Sequence, residues 1–176
     1  MRHCCALRAT LVFGLLSVLL VGCSRDPNVR KQKYLRSGEQ YFQEGSYREA
    51  AIEFTNAVQI DPAYADAHYQ LAQVYLKLQQ WANAYGELTR TLELQPENHP
   101  ARMDLANLLL AAGDMKGARE HTAILLAKHG NDPQAHLLAA ALHAAQQDLP
   151  GAMQETRKAI ALDPNRSDSY LTLARL

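Results

Sequence analysis

An all-α fold of stacked antiparallel helix hairpins is predicted by three features of the sequence. Small residues recur at one phase: Ala50, Ala84, Ala118 and Ala152 each lie 34 residues from the next. Pro62, Pro96 and Pro164 sit on the same ruler, and Gly130, itself a helix stopper, fills the vacant place. The stretch Ser46 to Pro62, SYREAAIEFTNAVQIDP, reads as a helix with Ala50, Phe54, Ala57, Val58 and Ile60 near one stripe, closed by Asp61-Pro62. A fixed period of that length is the mark of a two-helix repeat, whose hairpins bury their apolar faces only by stacking on neighbours.

The totals agree with a folded repeat array. The chain has 176 residues, is 48% hydrophobic and 20% charged, and contains no low-complexity tract, so a packed structure is expected. Formal net charge is zero, and from Cys23 onward 16 basic side chains face 18 acidic ones. No basic face dominates, which argues against a nucleic-acid partner. The three cysteines, Cys4, Cys5 and Cys23, all precede the repeats, so the fold needs no disulfide and no thiolate metal site.

The N-terminus reads as an address. Arg2 and Arg8 precede an uncharged run from Ala9 to Gly22. That run is shorter than the roughly 20 apolar residues of a membrane-spanning helix and suits a secretory signal. It ends in Leu20-Val21-Gly22-Cys23, which resembles the lipobox of bacterial lipoproteins. The resemblance implies cleavage after Gly22 and lipidation of Cys23, giving a signal peptide at 1–22 and a lipidated tether at 23–30. Two or three acyl chains hold a protein stably at a membrane, whereas one is marginal. The alternative is a short uncleaved anchor helix. Ser24, where aspartate would resemble an inner-membrane retention signal, favours the outer membrane, with the repeats in the periplasm of a bacterial cell envelope. Between Ser24 and Lys33 the chain turns basic, with Arg25, Arg30, Lys31 and Lys33 against Asp26, and Arg36 extends the cluster. Beyond tethering, such a segment attracts anionic headgroups at about 1 kcal/mol per basic side chain.

From residue 31 onward the period and phase resemble the tetratricopeptide repeat (TPR), with its W-x2-L-G-x2-Y, A-x3-F, A and P positions. The resemblance implies four units, 31–64, 65–98, 99–132 and 133–166, and the first helix of an incomplete fifth at 167–176. In the first, Tyr34, Gly38, Tyr41, Ala50, Phe54, Ala57 and Pro62 match, with Ser37 in place of leucine. The second matches at Leu71, Ala72, Tyr75, Ala84, Leu88 and Pro96, with His68 in the tryptophan slot. The third keeps Leu105, Ala106, Gly113 and Ala118 and is the most degenerate. The fourth keeps Ala140, Ala152, Ala159 and Pro164, with His136 and His143 in the two aromatic slots. The implied architecture is a TPR α-solenoid, a right-handed superhelix with a concave groove. Gly45 and Gly113 stand where the first helix of a unit turns and a positive φ is tolerated.

The motifs of catalysis are absent from the sequence. Neither G-x-x-x-x-G-K-[ST] nor G-x-G-x-x-G occurs, there is no H-E-x-x-H, and serines show no nucleophile elbow. His136 and His143, seven apart, share a helix face, but they occupy slots where the first unit has Tyr34 and Tyr41, so packing is expected rather than metal binding. No matching partner for His121 or His129 is apparent. No catalytic residue, metal or cofactor is therefore assigned, and no small-molecule substrate is expected.

What remains is the groove. In the family it is lined by the first helix of each unit at its second, fifth, ninth and twelfth positions. Carried onto this chain, the resemblance implies a partner-binding surface of Leu35, Phe42, Tyr69, Leu76, Met103 and Leu110, rimmed by Glu39, Gln73, Lys77 and Asn107. Its apolar content suits a protein partner presenting a helix or an extended peptide. The alternative is that several of these residues are covered by neighbouring units. The expected function is a non-catalytic interaction scaffold, anchored to a bacterial membrane through Cys23, that helps assemble a secretion, surface-polysaccharide or pilus system. The segment KYLRSGEQYFQEGSYREAAIEFTNAVQIDP resembles TPR lipoproteins of PEP-CTERM/exosortase exopolysaccharide systems and, less closely, pilotins. A second reading makes the repeats the docking arm of a longer protein whose working domain lies beyond Leu176.

Overall fold

A computed structural model describes residues 26–176, so the signal peptide, Cys23 and the start of the tether lie outside the described residues. Every regular element among the described residues is an α-helix. In order they are α1 (Pro27–Gln43), α2 (Tyr47–Ile60), α3 (Ala65–Lys77), α4 (Trp81–Leu94), α5 (His99–Ala111), α6 (Met115–Lys128), α7 (Pro133–Ala145), α8 (Leu149–Leu162) and α9 (Ser167–Arg175).

Local chemistry sets the boundaries. Asp26, Asn98, Asp114, Asp132 and Asp148 each accept a hydrogen bond from a backbone N–H two or three residues on, satisfying a donor the helix leaves open. Proline stands in the first turn of α1, α5, α7 and α8, where no N–H is needed. The sequence reading starts the first helix at Lys31, but α1 begins at Pro27. Asp26 caps it and Pro27 occupies its first position, so residues 27–30, read as tether, form its first turn. The second helices of the repeats end at Asp61, Gln95, His129 and Asp163, each near φ −135°, and in three cases a proline follows and disfavours the α conformation before it.

The hairpin turns share one device. Gly45 and Gly113 take φ +78° and +82°, as expected, and Gln79 and Gln147 occupy the same phase at +58° and +62° without the freedom of glycine.

The described chain forms two compact units, one ending at Gln79 and the other starting at Gln80. In the first, Ala50, Phe54, Leu71 and Val74 form a core flanked by Leu35, Phe42, Tyr47, Tyr75 and Leu78. Phe54 is fully buried against Gly38: a Cβ there would come within 2.5 Å of the Phe54 ring. Lys31 closes the unit, its Nζ 2.5 Å from Asp61 Oδ2 and 4.8 Å from the centre of the Tyr64 ring. In the second unit, Met103, Ala106, Leu125, Ala135 and Leu138 form a core cluster, with Leu110 and Leu126 against it. Here the repeats exchange volumes between positions. Thr122 stands at the phase of Phe54 and Leu88, while Leu125 stands at the phase of Ala57 and Ala159. The buried threonines are satisfied by the carbonyl four residues back, Thr122 at 2.7 Å and Thr156 at 2.8 Å.

Candidate peptide-binding cleft

The residues the sequence assigns to a groove do not share one environment. In the first unit Leu35 and Phe42 are half-buried against the core, and Phe42 meets Tyr47 edge to face with ring centres 5.4 Å apart. Glu39, Tyr69, Gln73 and Leu76 are also half-buried, and Lys77 is exposed at the end of α3. In the second unit Met103 is only 7% exposed and belongs to the core cluster, Leu110 lies half-buried against that cluster, and Asn107 is exposed. Met103 is therefore first a packing residue. A charge placed there would strike the fold before it struck a ligand.

Met103 and Asn107 do meet at a common feature. A cleft of about 300 Å³ in the second unit is lined from α5 by Met103, Asp104 and Asn107, from α7 by Gln134, Leu137, Leu138 and Ala141, and at the start of α9 by Arg166 and Asp168. Leu137 and Ala141 repeat the phases of Met103 and Asn107 one period later, so the repeat itself brings matching positions side by side. Arg166 Nε lies 2.9 Å from Asp168 Oδ1. The apolar members come from helix positions facing the core, while Asn107 and Gln134 are exposed. Amide side chains both donate and accept, matching the alternating groups of a peptide backbone. Gln134 and Asp168 stand at the second positions of the fourth and fifth units, whereas Asp104 and Arg166, the latter the cap of α9, lie outside the groove phases.

A second crevice of about 190 Å³ lies between α6 and α7, bounded by Thr122, Ala123, Leu126, Ala139 and Leu142 and edged by Arg119, His143 and Gln146. Its origin is volume: Thr122 and Ala139 are small where other repeats carry Leu88 and Leu105.

The histidines are structural. His136 is buried, with Nδ1 2.7 Å from Glu155 Oε2 and Nε2 3.0 Å from the Gly130 carbonyl. His121 and His129, which had no apparent partner in the sequence, have them here. Arg102 Nη1 lies 3.3 Å from His121 Nδ1, and His129 stacks edge to face on His99 at 4.3 Å. Burial, then the adjacent Arg102, lower the pKa of His121, so its neutral ring accepts from the guanidinium. Among the described residues no group of three or more His, Cys, Asp or Glu is placed to hold a metal ion. None of their helices is long and apolar enough to cross a membrane.

Comparison with known proteins agrees with this geometry. Residues 38–79 match the TPR repeat family, and residues 76–142 match the Tetratricopeptide repeat family. The chain is built of tetratricopeptide repeats. It is 40% identical over 79 residues to the type IV pilus assembly protein PilF of Pseudomonas aeruginosa, a match covering 39% of this chain and 31% of that protein. The likeness thus spans about a third of the curated relative's length. A solved PilF structure superposes with a TM-score of 0.74 at 19% identity, covering 86% of this chain and 69% of that one. MamA from Desulfovibrio magneticus RS-1 gives 0.75 at 19% identity, covering 82% and 81%. YrrB, a TPR protein with an unusual peptide-binding site, gives 0.69 at 18% identity, covering 80% and 72%. At these identities the structural likenesses establish the TPR fold and nothing finer.

Proposed function

We propose that this TPR chain is a non-catalytic scaffold that captures an extended peptide or helix of a protein partner and works at a bacterial membrane through a lipid on Cys23. The observation that carries the reading is the cleft in the second unit, where Asn107 and Gln134 stand on adjacent first helices beside Met103, Leu137 and Ala141. Amides for the backbone and apolar groups for side chains are the two requirements of peptide capture. The peptide-binding site of YrrB, on a similar fold, supports the same use.

The system served is proposed to be an envelope assembly such as a pilus, secretion or surface-polysaccharide apparatus. The pilus-assembly relative supports the first, and resemblance to the TPR lipoproteins of PEP-CTERM/exosortase systems favours the last. Residues 23–26 then tether the repeats in the periplasm, with the outer membrane favoured by Ser24. The test is affinity capture from detergent-solubilised membranes, comparing the wild-type chain with an Asn107→Ala/Gln134→Ala variant. The expected result is an envelope-assembly protein retained by the wild type and lost from the variant at unchanged helical circular dichroism. Retention by both would remove the cleft from the account. Separately, globomycin should cause a lipid-bearing precursor to accumulate, and its failure to do so would remove the anchor.

A further inference from the structure

The outer face of α1 gathers three exposed cations, Arg30, Lys33 and Arg36. Gly38 marks the inward face, packed on Phe54. At 3.6 residues per turn, Val29, Lys33, Arg36 and Gln40 lie on the opposite side, flanked by Arg30. All five are exposed, and Val29 keeps 46% of its surface in solvent. Acids border this patch: Glu39, half-buried, lies about a quarter-turn round the helix, and the exposed Asp26 and Glu44 cap its two ends, Glu44 accepting from Gln40 Nε2 at 3.0 Å. Lys31 differs from its neighbours because it points to the other side and is paired with Asp61. Arg30, Lys33 and Arg36 show no ion pair among the described residues.

A face that only kept the end of a repeat array soluble would mix signs, because a single-sign field adds self-repulsion. Between its capping acids this one keeps three cations and an exposed valine, with no acid from Val29 to Arg36. Its place in the chain adds the second argument. α1 starts at Pro27, not at the end of a long linker, so only Ser24, Arg25 and Asp26 separate Cys23 from the helix. The four Cα-to-Cα steps from Cys23 to Pro27 span at most about 14 Å, under two Debye lengths at physiological salt. A lipid on Cys23 would therefore hold this face inside the field of the membrane it is anchored to.

We infer that the outer face of α1, through Arg30, Lys33 and Arg36, docks on anionic phospholipid headgroups beside the anchor, with Val29 reaching toward the acyl boundary. The inference rests on the proposed lipidation of Cys23. The contact fixes how the first unit stands on the membrane, where an acyl tether alone would leave it free to turn. Free phosphate offers the same oxygen chemistry, but a row of three cations over two helical turns fits a surface of headgroups better than a single ion.

The test uses the full chain, processed in a bacterial host, purified in detergent and reconstituted on vesicles. One set is phosphatidylcholine alone, and the other contains about a third phosphatidylglycerol. Acetylation of Lys33 is followed by mass spectrometry relative to Lys116, an exposed lysine on α6. Lys33 should react about tenfold more slowly on the anionic vesicles than on the neutral ones, and about 0.5 M salt should abolish the difference. An Arg30→Gln/Arg36→Gln variant, which keeps the reporter lysine, should lose most of the protection while retaining its melting temperature. Equal rates on the two vesicle types would overturn the inference, and so would protection that phosphatidylcholine or millimolar inorganic phosphate produces alone. The same spectra read the Cys23 peptide. If it carries no acyl group the anchor fails by itself, and the comparison repeated on chain mixed with vesicles still decides the headgroup contact.

Discussion

His136 and Glu155 are joined across the fourth repeat, Nδ1 to Oε2 at 2.7 Å, both side chains little exposed. The other ring nitrogen of His136 reaches back 3.0 Å to the Gly130 carbonyl. Both ring partners, a carboxylate and a carbonyl, are acceptors. Arg102 repeats the arrangement in the third repeat, reaching back 2.5 Å to the Pro96 carbonyl and across to His121. His68 makes the backward bond at 3.1 Å to the Pro62 carbonyl. Where the family pattern has tryptophan, three repeats thus use a polar staple that ties the first helix to the preceding junction.

If the staple stabilises the fold, His136→Gln should lower stability by about 1–3 kcal/mol, because it weakens two buried polar contacts at once. Chemical denaturation followed by circular dichroism measures this. Lys116→Gln, on an exposed face, should stay within about 0.5 kcal/mol of wild type.

The staple also sets an acid limit. Burial pushes the Glu155 carboxyl up, but hydrogen bonds from Lys158 and His136 outweigh it and hold the group below its ordinary 4.5. A carboxyl lowered in the folded state contributes stability above its unfolded pKa and loses it as pH falls through the folded value. Melting temperature should therefore drop below about pH 4.5. The drop should be shallower in Glu155→Gln, where no carboxyl at that site titrates.

Gly38 and Phe54 should behave as a matched pair. Gly38→Ala places a Cβ within 2.5 Å of the ring and should cost about 1–3 kcal/mol by overpacking. The second repeat carries Ala72 and Leu88 at the same two phases. A Gly38→Ala/Phe54→Leu double variant should therefore recover stability relative to Gly38→Ala alone, as a double-mutant cycle would report.

Gln147 holds φ +62° at the phase where Gly113 holds +82°. Replacing it by glycine relieves a left-handed penalty of about 1–2 kcal/mol and costs about 0.5–1 in chain entropy. Thermal unfolding should show a net gain of about 0.5 kcal/mol, while Gly113→Ala should lose about 1 kcal/mol.

The repeat, its helices and its glycine turns are legible in the sequence because stacking fixes them by period. Ala50, Ala84, Ala118 and Ala152, all fully buried, report that period directly. Gln79 and Gln147 are not legible as left-handed residues, since glutamine carries no such signature and only the length of the turn forces it. The staples were missed for a different reason. Partners 19 residues apart on separate helices are joined by packing and not by any local periodicity. Phase puts Asn107 and Ala141 in one register and the cleft brings them together, but phase alone does not tell that Met103 is covered while Asn107 is exposed. The early start of α1 was written in Asp26-Pro27, a cap and a first-turn proline whose combination outweighs the basic composition around it.

The central claim is that the cleft beside Asn107 holds a partner's peptide, and site-specific photocrosslinking in living cells addresses it most directly. A photoreactive residue is placed at Asn107 in one strain and at Lys116, exposed on α6 and not part of the cleft, in another. The account predicts a light-dependent adduct of one defined mass at position 107 that Gln134→Ala weakens, with none at position 116. Adducts only at position 116, or equal adducts at both, would contradict it.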